Sequence, residues 1–391
     1  MNGGPLNGIR VLEFGQIAAG PFVGMLLADL GADVVKVERP DGGDGMRDWP
    51  PLVSDGSGGD RFSGNFASLN RNKRSMGLDL KDPAAIDRLR GLCDQVDVIV
   101  ENFRPGVLDR LGLGYKPLAA GNPRLVYCSV SGYGQSGLYA DKGAFDVTVQ
   151  AMSGLMSVTG ERTGPPLKCG VPVGDFASGL YAAYCITAAL RQAAATGQGS
   201  RIDCSMLGSL LGISALQTSE FFGTGVAPAR LGSAHPRNAP YQAFEASDGP
   251  FVVAAGNQDL WRRFCAVVER LELVADERFS TQEQRARNQG ALADLMQPIF
   301  GRKTRATWLT ALDASGVPCA PVNDFADILA DPHVAAMGLV HQMALPNGVQ
   351  TQTVGFPIAM SGFDFKISRR PPMLGEHTDE VFQDWMTGRE A

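Results

Sequence analysis

Short apolar segments and amphipathic segments alternate up to about residue 200, and this alternation limits the folds that the chain can adopt. The apolar segments have the length of buried strands, and the helical segments carry start signals such as Asp82-Pro83. Strands and helices that alternate at this spacing are typical of a mainly parallel sheet with helices on both faces. We therefore predict an α/β fold. The predicted strands cover residues 9–14, 33–38, 75–80, 97–100 and 124–130.

The pattern changes after about residue 200, and a second, smaller domain is predicted at residues 225–330. The charged segment 282–287 is interpreted as a solvent-exposed helix face. The predicted elements of this part are an apolar helix over 207–222, a hairpin over 241–255 that turns at Asp248-Gly249, and helices over 257–271, 281–300 and 304–314.

Composition and charge argue against several classes of protein. The chain has 391 residues, a net charge of −6 and a pI near 5.4, which is unlike a general nucleic-acid-binding or membrane surface. We find neither a signal peptide nor an apolar stretch of the roughly 18 residues that a membrane span needs. Seven cysteines without a C-x-x-C pair and four histidines without ligand spacing indicate reduced thiols, a cytoplasmic location and no metal site.

A glycine-rich segment tests whether the chain binds a nicotinamide or flavin cofactor. Gly132, Gly134 and Gly137 have the order G-x-G-x-x-G and follow a predicted strand. A dinucleotide site requires that the third glycine open a helix and that an acidic residue follow about 20 positions later, at the end of the next strand. The residues after Gly137 are turn-like, and segment 157–166 reads as a loop. We therefore expect no nicotinamide.

A second glycine pair lies between the first predicted strand and helix. Gly15 and Gly20 flank this turn, and Glu38 ends the next strand at a spacing suited to a ribose contact. The glycines do not match the dinucleotide pattern. Two interpretations stay open, a tight turn without a ligand and a site for a nucleotide-bearing ligand that is not a redox cofactor.

The most promising reactive group is a carboxylate among small residues. Asp175 follows a strand-like apolar run and precedes a long apolar helix, and Gly170, Gly174 and Gly179 keep bulky side chains away from it. One interpretation is a helix N-cap, a position that favours aspartate. The other is a carboxylate that a substrate can reach. Nearby Cys169 is interpreted as a small packing residue.

Several segments resemble the class III CoA-transferases, the CaiB/BaiF family, in order and over nearly the whole chain. They are "LNGIRVLEFGQIAAGPFVGMLLADLGADVVKVERP", "LNRNKRSMGLDLK", "VENFRPGVLDRLGLGY", "GYGQSG", "GVPVGDFASGLY" and "RRPPMLGEHTDEV". The resemblance implies a Rossmann-like, doubly wound CoA-binding domain and ring-shaped subunits interlocked as a homodimer. The implied organisation is a large domain of residues 1–205 and 335–391, a linker helix at 206–224 and a small α+β domain at 225–330.

The resemblance assigns the nucleophile to Asp175. A carboxylate with an ordinary pKa of about 3.9 is ionised at pH 7 and needs no base to activate it. It would attack an acyl-CoA thioester, and an aspartyl anhydride and an aspartyl-CoA thioester would follow. Carboxylates and a thiolate then suffice, without a metal.

The resemblance also suggests which residues contact CoA, with Arg39 and Arg110 as the preferred arginines. Arg47 is added because a planar guanidinium suits phosphate. For every arginine the alternative is a surface ion pair. The predicted CoA-binding residues are Ile17, Ala18, Arg39, Arg47, Leu78, Lys81, Asn102, Phe103, Arg104, Arg110, Gly134, Gly143, Phe145 and Asp146.

Two departures from the family pattern narrow the reaction. The racemase branch has a G-H-D motif where this chain has Ala144-Phe145-Asp146, and Phe145 cannot carry a proton. The formyl-CoA branch has a glutamine where Ala18 stands. The segment "SAHPRNAPYQAF" looks like the branch that acts on dicarboxylates, so His235 or Arg237 could bind the far carboxylate of an acid. A purely structural loop is the alternative.

The sequence thus predicts a cytoplasmic CoA-transferase that moves CoA from a short acyl-CoA, succinyl-CoA being the favoured donor, to a small carboxylic or dicarboxylic acid. Its expected partners are these substrates and a second copy of the chain, without nucleic acid or membrane. The alternatives are a 2-methylacyl-CoA racemase, a formyl-CoA transferase and a non-catalytic acyl-CoA-binding protein.

Overall fold

The computed structural model describes residues 3–54, 56 and 59–386. A six-stranded parallel sheet forms the centre of the larger of two compact units, with strand order β5-β2-β1-β6-β7-β8. The strands are β1 Arg10–Phe14, β2 Asp33–Glu38, β3 Leu52–Val53, β4 Phe62–Ser63, β5 Lys73–Gly77, β6 Val98–Glu101, β7 Val126–Ser131, β8 Ser200–Ser205, β9 Tyr241–Ala246, β10 Gly249–Ala254, β11 Cys319–Pro321, β12 Val340–Ala344 and β13 Gln350–Val354.

The helices cover both faces of this sheet, as the alternating sequence predicted. They are α1 Ala19–Asp29, α2 Gly64–Asn70, α3 Pro83–Cys93, α4 Val107–Arg110, α5 Tyr115–Gly121, α6 Asp146–Met152, α7 Val173–Thr196, α8 Met206–Ile213, α9 Ala215–Thr224, α10 Gln258–Val267, α11 Gln282–Arg287, α12 Gln289–Phe300, α13 Arg305–Ala314, α14 Phe325–Leu329, α15 Pro332–Ala336 and α16 Thr378–Met386.

Neighbouring strand residues point into different cores. Val11 of β1 joins a core with residues of α1 and α7, whereas the next residue, Leu12, joins a core with residues of α3 and α16. Successive side chains of a strand face opposite sides of a sheet, so this division is expected where both faces are covered. Strands β1, β2, β6 and β7 therefore read as largely apolar runs, which is why the sequence located them. Strand β8, at an edge of the sheet, carries Arg201 and Asp203 and was not predicted.

The order of the strands reverses between β1 and β6. From β1 the chain builds outward to β2 and β5, and then it returns to add β6, β7 and β8 on the other side. In open parallel sheets ligands bind in the crevice beyond the carboxyl ends of the strands at such a reversal. The fold therefore directs attention to the loops that follow β1 and β6.

Residues 156–168 and 223–331 form the second compact unit. Its antiparallel sheet has the order β11-β10-β9, and the predicted hairpin is present as β9 and β10. Residues 156–168 lie with this unit rather than with the predicted large domain, and residues 206–222 lie with the first unit rather than forming a separate linker.

Three local expectations were wrong. The helix predicted over 207–222 is interrupted at Ser214, and the one predicted over 281–300 is interrupted at Asn288. The charged segment 282–287 is not wholly a solvent-exposed face, because Arg285 is fully buried and donates to the carbonyl oxygens of Ala239 and Gly256, among other acceptors.

Helix α7 corrects a further expectation. By length and composition alone it could cross a membrane, although no stretch of that kind was recognised in the sequence. Core helices pass the same test, and Ala182, Ile186 and Ala189 of α7 pack in the core beneath the sheet.

Candidate active site

The loops after the parallel strands bring many of the predicted CoA-binding residues to one edge of the sheet. All the strands of the central sheet run in the same direction, so their carboxyl ends share this edge. The residues that follow strand ends are Ile17 and Ala18 after β1, Arg39 after β2, Leu78 after β5, Asn102, Phe103 and Arg104 after β6, and Gly134 after β7.

The loop Gly15–Ala18 joins β1 to α1 in a strained conformation. Ile17 has a φ of 64°, in the left-handed region that β-branched residues rarely occupy. Its N–H donates to both carboxylate oxygens of Asp44 at 3.1 Å. Asn102 after β6 holds the preceding residue, accepting from the N–H of Gln16 at 2.8 Å and donating to its carbonyl oxygen at 2.9 Å. The two strands at the reversal are thus joined through this loop.

Asp175 lies at the start of α7 but is not its N-cap. The helix begins at Val173, Pro172 precedes it, and the structure shows no side-chain cap there. Asp175 is the third helical residue and is half-buried. The strand-like run before it is not a strand. The N-cap interpretation of Asp175 was therefore wrong.

A second carboxylate lies close to Asp175 and anchors the beginning of α7. Asp146, the first residue of α6, accepts from the N–H of Gly174 at 2.8 Å and from the side-chain amide of Gln150 at 2.6 Å. Burial, together with the smaller effect of the Asp146 charge, raises the pKa of Asp175 to about 7. The expectation of an ordinary pKa, with full ionisation at pH 7, was therefore wrong.

Aromatic packing ties the start of α7 to the start of α1. The rings of Phe176 and Phe22 are 4.8 Å apart. A Cβ on Gly179 would lie 2.6 Å from the ring of Phe22, so only glycine allows this approach. The residue after Asp175 thus contacts the first turn of α1, directly beyond the strained loop.

Most of the other predicted CoA-binding residues described next are cations, and most of these are exposed. The guanidinium of Arg39 donates to the carbonyl oxygen of Gly43 at 3.0 Å, and its side chain is exposed. Arg104 lies close to Gly143, whose added Cβ would be 3.5 Å from its Nη2. Lys81 and Arg110 are exposed, whereas Leu78 is buried.

Arg47 has a structural environment that argues against phosphate binding. It donates to Glu38 through Nε at 2.8 Å and through Nη2 at 2.7 Å, and Nη1 donates to the carbonyl oxygen of Pro372. Its guanidinium lies 3.8 Å from the centre of the Phe66 ring. We therefore reassign Arg47 from the predicted CoA contacts to the buried framework behind them.

Two further predicted CoA-binding residues, Phe145 and Gly134, differ in their local structure. Phe145 precedes α6 and is exposed, and its N–H donates to the hydroxyl oxygen of Thr148 at 3.0 Å. Gly134 has a φ of 96°, and its N–H donates to the hydroxyl of Ser131. A side chain at Gly134 would be strained by this φ alone.

His235 and Arg237 belong to the second unit. The Nδ1 atom of His235 accepts from the N–H groups of Arg237 and Asn238, each at 3.1 Å. Burial lowers the pKa of His235, and the charge of Arg237 lowers it further. These bonds fix the tautomer of His235 and leave Nε2 as its remaining polar atom, while the side chain of Arg237 is exposed.

Comparison with known proteins identifies the family. The family model described as CoA-transferase family III matches residues 6–378. The chain belongs to CoA-transferase family III. This family III chain is 38% identical over 384 residues to the succinate–glutarate CoA-transferase of Agrobacterium fabrum, covering 98% of this chain and 96% of that protein. It is 37% identical to the human succinyl-CoA:glutarate CoA-transferase, covering 97% of this chain and 86% of that protein.

A solved structure agrees with this assignment. The CaiB/BaiF family protein from Brucella suis is 38% identical, with a TM-score of 0.87, and the match covers 98% of this chain and 99% of that one. The predicted family and the mixed α/β fold with a parallel central sheet are therefore confirmed.

Sequence reasoning missed the charged residues beneath the Gly15–Ala18 loop. Lys36, Asp44 and Glu13 are buried, and the sequence analysis assigned them no role beyond membership of a strand or loop. A lysine and a glutamate within apolar strands, at positions otherwise filled by valine and leucine, were the available signal.

Proposed function

We propose that this family III CoA-transferase moves CoA from succinyl-CoA to a small dicarboxylic acid, with Asp175 as the covalent carrier. The observation that carries the proposal is the half-buried Asp175 carboxylate at the start of α7, beside α1 and the strained loop at the sheet reversal. The names of the two relatives, both CoA-transferases of succinate and glutarate, support the substrate class.

Transfer would proceed through four exchanges at carbonyl carbon. The carboxylate of Asp175 attacks the thioester carbon of succinyl-CoA, and the carbon–sulfur bond breaks. CoA thiolate departs, and an aspartyl–succinyl anhydride is formed. The thiolate attacks the Asp175 acyl carbon and releases succinate. The acceptor's carboxylate displaces thiolate from this aspartyl-CoA thioester, giving a second anhydride. Thiolate then attacks the acceptor's acyl carbon, which forms the new CoA ester and restores Asp175.

The environment of Asp175 suits a nucleophile that works without a base. Removing water from a carboxylate raises both its pKa and its basicity, and a more basic carboxylate forms a bond to carbon more readily. Near pH 7 the carboxyl group, with a pKa of about 7, is ionised in about half of the molecules.

The proposal extends to assembly, location and acceptor binding. Large apolar side chains on α7, among them Leu180 and Tyr184, are exposed, which supports a homodimer. The free cysteines support a reducing compartment such as the cytoplasm, which cell fractionation would test. His235 Nε2 and the Arg237 guanidinium remain candidates for the acceptor's far carboxylate, and a larger rise in KM for dicarboxylic than for monocarboxylic acids in Arg237→Ala is the test.

Phe145 argues against racemisation, because an exposed phenyl ring offers no proton acceptor at the start of α6. A racemase would incorporate deuterium from deuterated water at the α-carbon without forming a new CoA ester. A binding protein would do neither.

Covalent trapping tests the proposal directly. The enzyme is incubated with succinyl-CoA, treated with hydroxylamine or borohydride, and digested for mass spectrometry. We expect modification at Asp175, and none in the isosteric Asp175→Asn variant. Asp175→Ala should lose transfer while its affinity for CoA stays close to that of the wild type. Full transfer activity in either variant would refute the role of Asp175.

A further inference from the structure

A buried group of charges lies directly beneath the Gly15–Ala18 loop. The ammonium group of Lys36 contacts Glu13 Oε1 at 3.0 Å and Asp44 Oδ2 at 2.9 Å, and all three side chains are fully buried. Lys73 lies beside them, 2.6 Å from Glu13 Oε2. Two cations therefore face two carboxylates, and the group is electrically balanced.

The charges bond to the backbone of the loop as well as to one another. Lys36 donates to the carbonyl oxygen of Gly15 at 2.5 Å, and Asp44 accepts from the N–H of Ile17 at 3.1 Å. Asn102 holds Gln16 between them. Three consecutive residues are thus held by side chains from other parts of the chain.

The group is itself held in place. Burial opposes the charged form of Lys36, but the carboxylates of Glu13 and Asp44 outweigh this effect and raise its pKa above the usual value. Glu38 accepts from the N–H of Asp44 at 3.0 Å, and Arg47 donates to Glu38. A buried ion pair seldom adds much stability, and its best-attested use is to specify one conformation.

We infer that the Lys36–Asp44 ion pair is a positioning device that keeps the Gly15–Ala18 loop, with Ile17 in its strained conformation, ready to receive the CoA part of the substrate. Neither side chain reaches the substrate, because both are fully buried. The inference rests on the proposed function, since it assumes that the loop borders the CoA site. The strain at Ile17 must be offset by such contacts.

The test removes the acceptor of the Ile17 N–H. Asp44→Ala should raise the dissociation constant for free CoA roughly tenfold. The reason is that the strain at one residue, once it is no longer offset, lowers the population of the binding-competent loop by about this factor. It should also speed amide hydrogen exchange in the peptide containing residues 15–18. Asp44→Asn keeps a carbonyl oxygen for the Ile17 N–H but loses the ion pair with Lys36, so its affinity for CoA should lie between those of the wild type and Asp44→Ala.

The matched control is another buried ion pair in the same unit. Arg71 lies 2.6 Å from Asp29, with both side chains buried and no bond to the loop. Arg71→Met should lower stability but leave CoA affinity and loop exchange unchanged. If Asp44→Ala does not fold, Lys36→Met/Asp44→Ala removes both charges together and is measured in its place.

Two results would overturn the inference. One is unchanged loop exchange and CoA affinity in the folded variant. The other is an equal loss of affinity in Arg71→Met. If the wild-type enzyme did not bind CoA, the proposed function would fail, and the exchange measurement would still decide whether the ion pair fixes the loop.

Discussion

At the scale of single residues, the surroundings of Asp175 oppose the ionisation that its proposed role requires. A carboxylate nucleophile must be ionised, yet burial and Asp146 both favour the protonated form of Asp175. Asp146 also has a structural role, because it accepts a hydrogen bond from the N–H of Gly174 and so holds the start of α7 in place. The carboxylate of Asp146, which positions the proposed nucleophile, therefore also lowers the fraction of Asp175 that is ionised.

This conflict predicts a pH dependence. With a raised pKa of about 7, Asp175 is protonated below that pH, so kcat/KM should fall about tenfold per pH unit on the acidic side and level off above about pH 8. Asp146→Asn removes the like charge and should move the midpoint to lower pH. Initial rates measured from about pH 5 to 9 provide the check.

The control for this profile is Asp141→Asn, which removes an exposed carboxylate from the loop before α6. It should leave the midpoint unchanged. A wild-type profile that stays flat between about pH 5 and 8 would contradict the assignment of Asp175 as the group that must be ionised.

At the scale of elements, the glycines around Asp175 turn out to have separate roles. They were expected to keep bulk away from the carboxylate. Gly179 instead makes room for Phe22 of α1, and a Cβ added to Gly170 would meet no atoms within 4 Å apart from those of its two chain neighbours. Gly174 lies against Asp146. The contact of α7 with α1, rather than access to Asp175 alone, explains the glycine at 179.

We therefore predict that one glycine substitution lowers the free energy of unfolding and that another leaves it nearly unchanged. Gly179→Ala should destabilise the protein by about 1–3 kcal/mol, because its Cβ would overlap the Phe22 ring, even though alanine favours a helix. Gly170→Ala should change stability by less than about 0.5 kcal/mol. Urea unfolding of both variants gives the comparison, and equal stabilities would show that the two helices can separate without cost.

Local patterns predicted the elements better than the site. Apolar runs gave most of the parallel strands, because burial on both faces leaves a signal within a few residues. The edge strand β8 is polar at alternate positions and was missed. The break at Ser214 left none, since apolar residues flank it on both sides. Arg285 was misjudged because its acceptors, such as the carbonyl oxygen of Ala239, are distant in sequence. Lys36 and Asp44 were missed for the same reason.

At the scale of the whole molecule, helix α7 carries both the proposed nucleophile and the apolar surface of the proposed homodimer. One side of it packs in the core, and its first turn carries Asp175, while Tyr184 on another side is 72% exposed. An apolar surface of this kind calls for a partner. In the proposed homodimer a second copy of the chain would cover this surface.

The interlocked form of the homodimer, which the family resemblance implies, makes a prediction about subunit exchange. If each subunit threads through the other, a folded dimer cannot exchange chains without extensive unfolding, because covalent connections block separation. Purified tagged and untagged dimers, mixed and incubated, should therefore give no mixed dimers on affinity capture, whereas coexpression of the two chains should give them. A dimer held only by apolar faces such as that of α7 would exchange on mixing. Mixed dimers from separately folded pools would thus rule out interlocking while leaving the role of Asp175 intact.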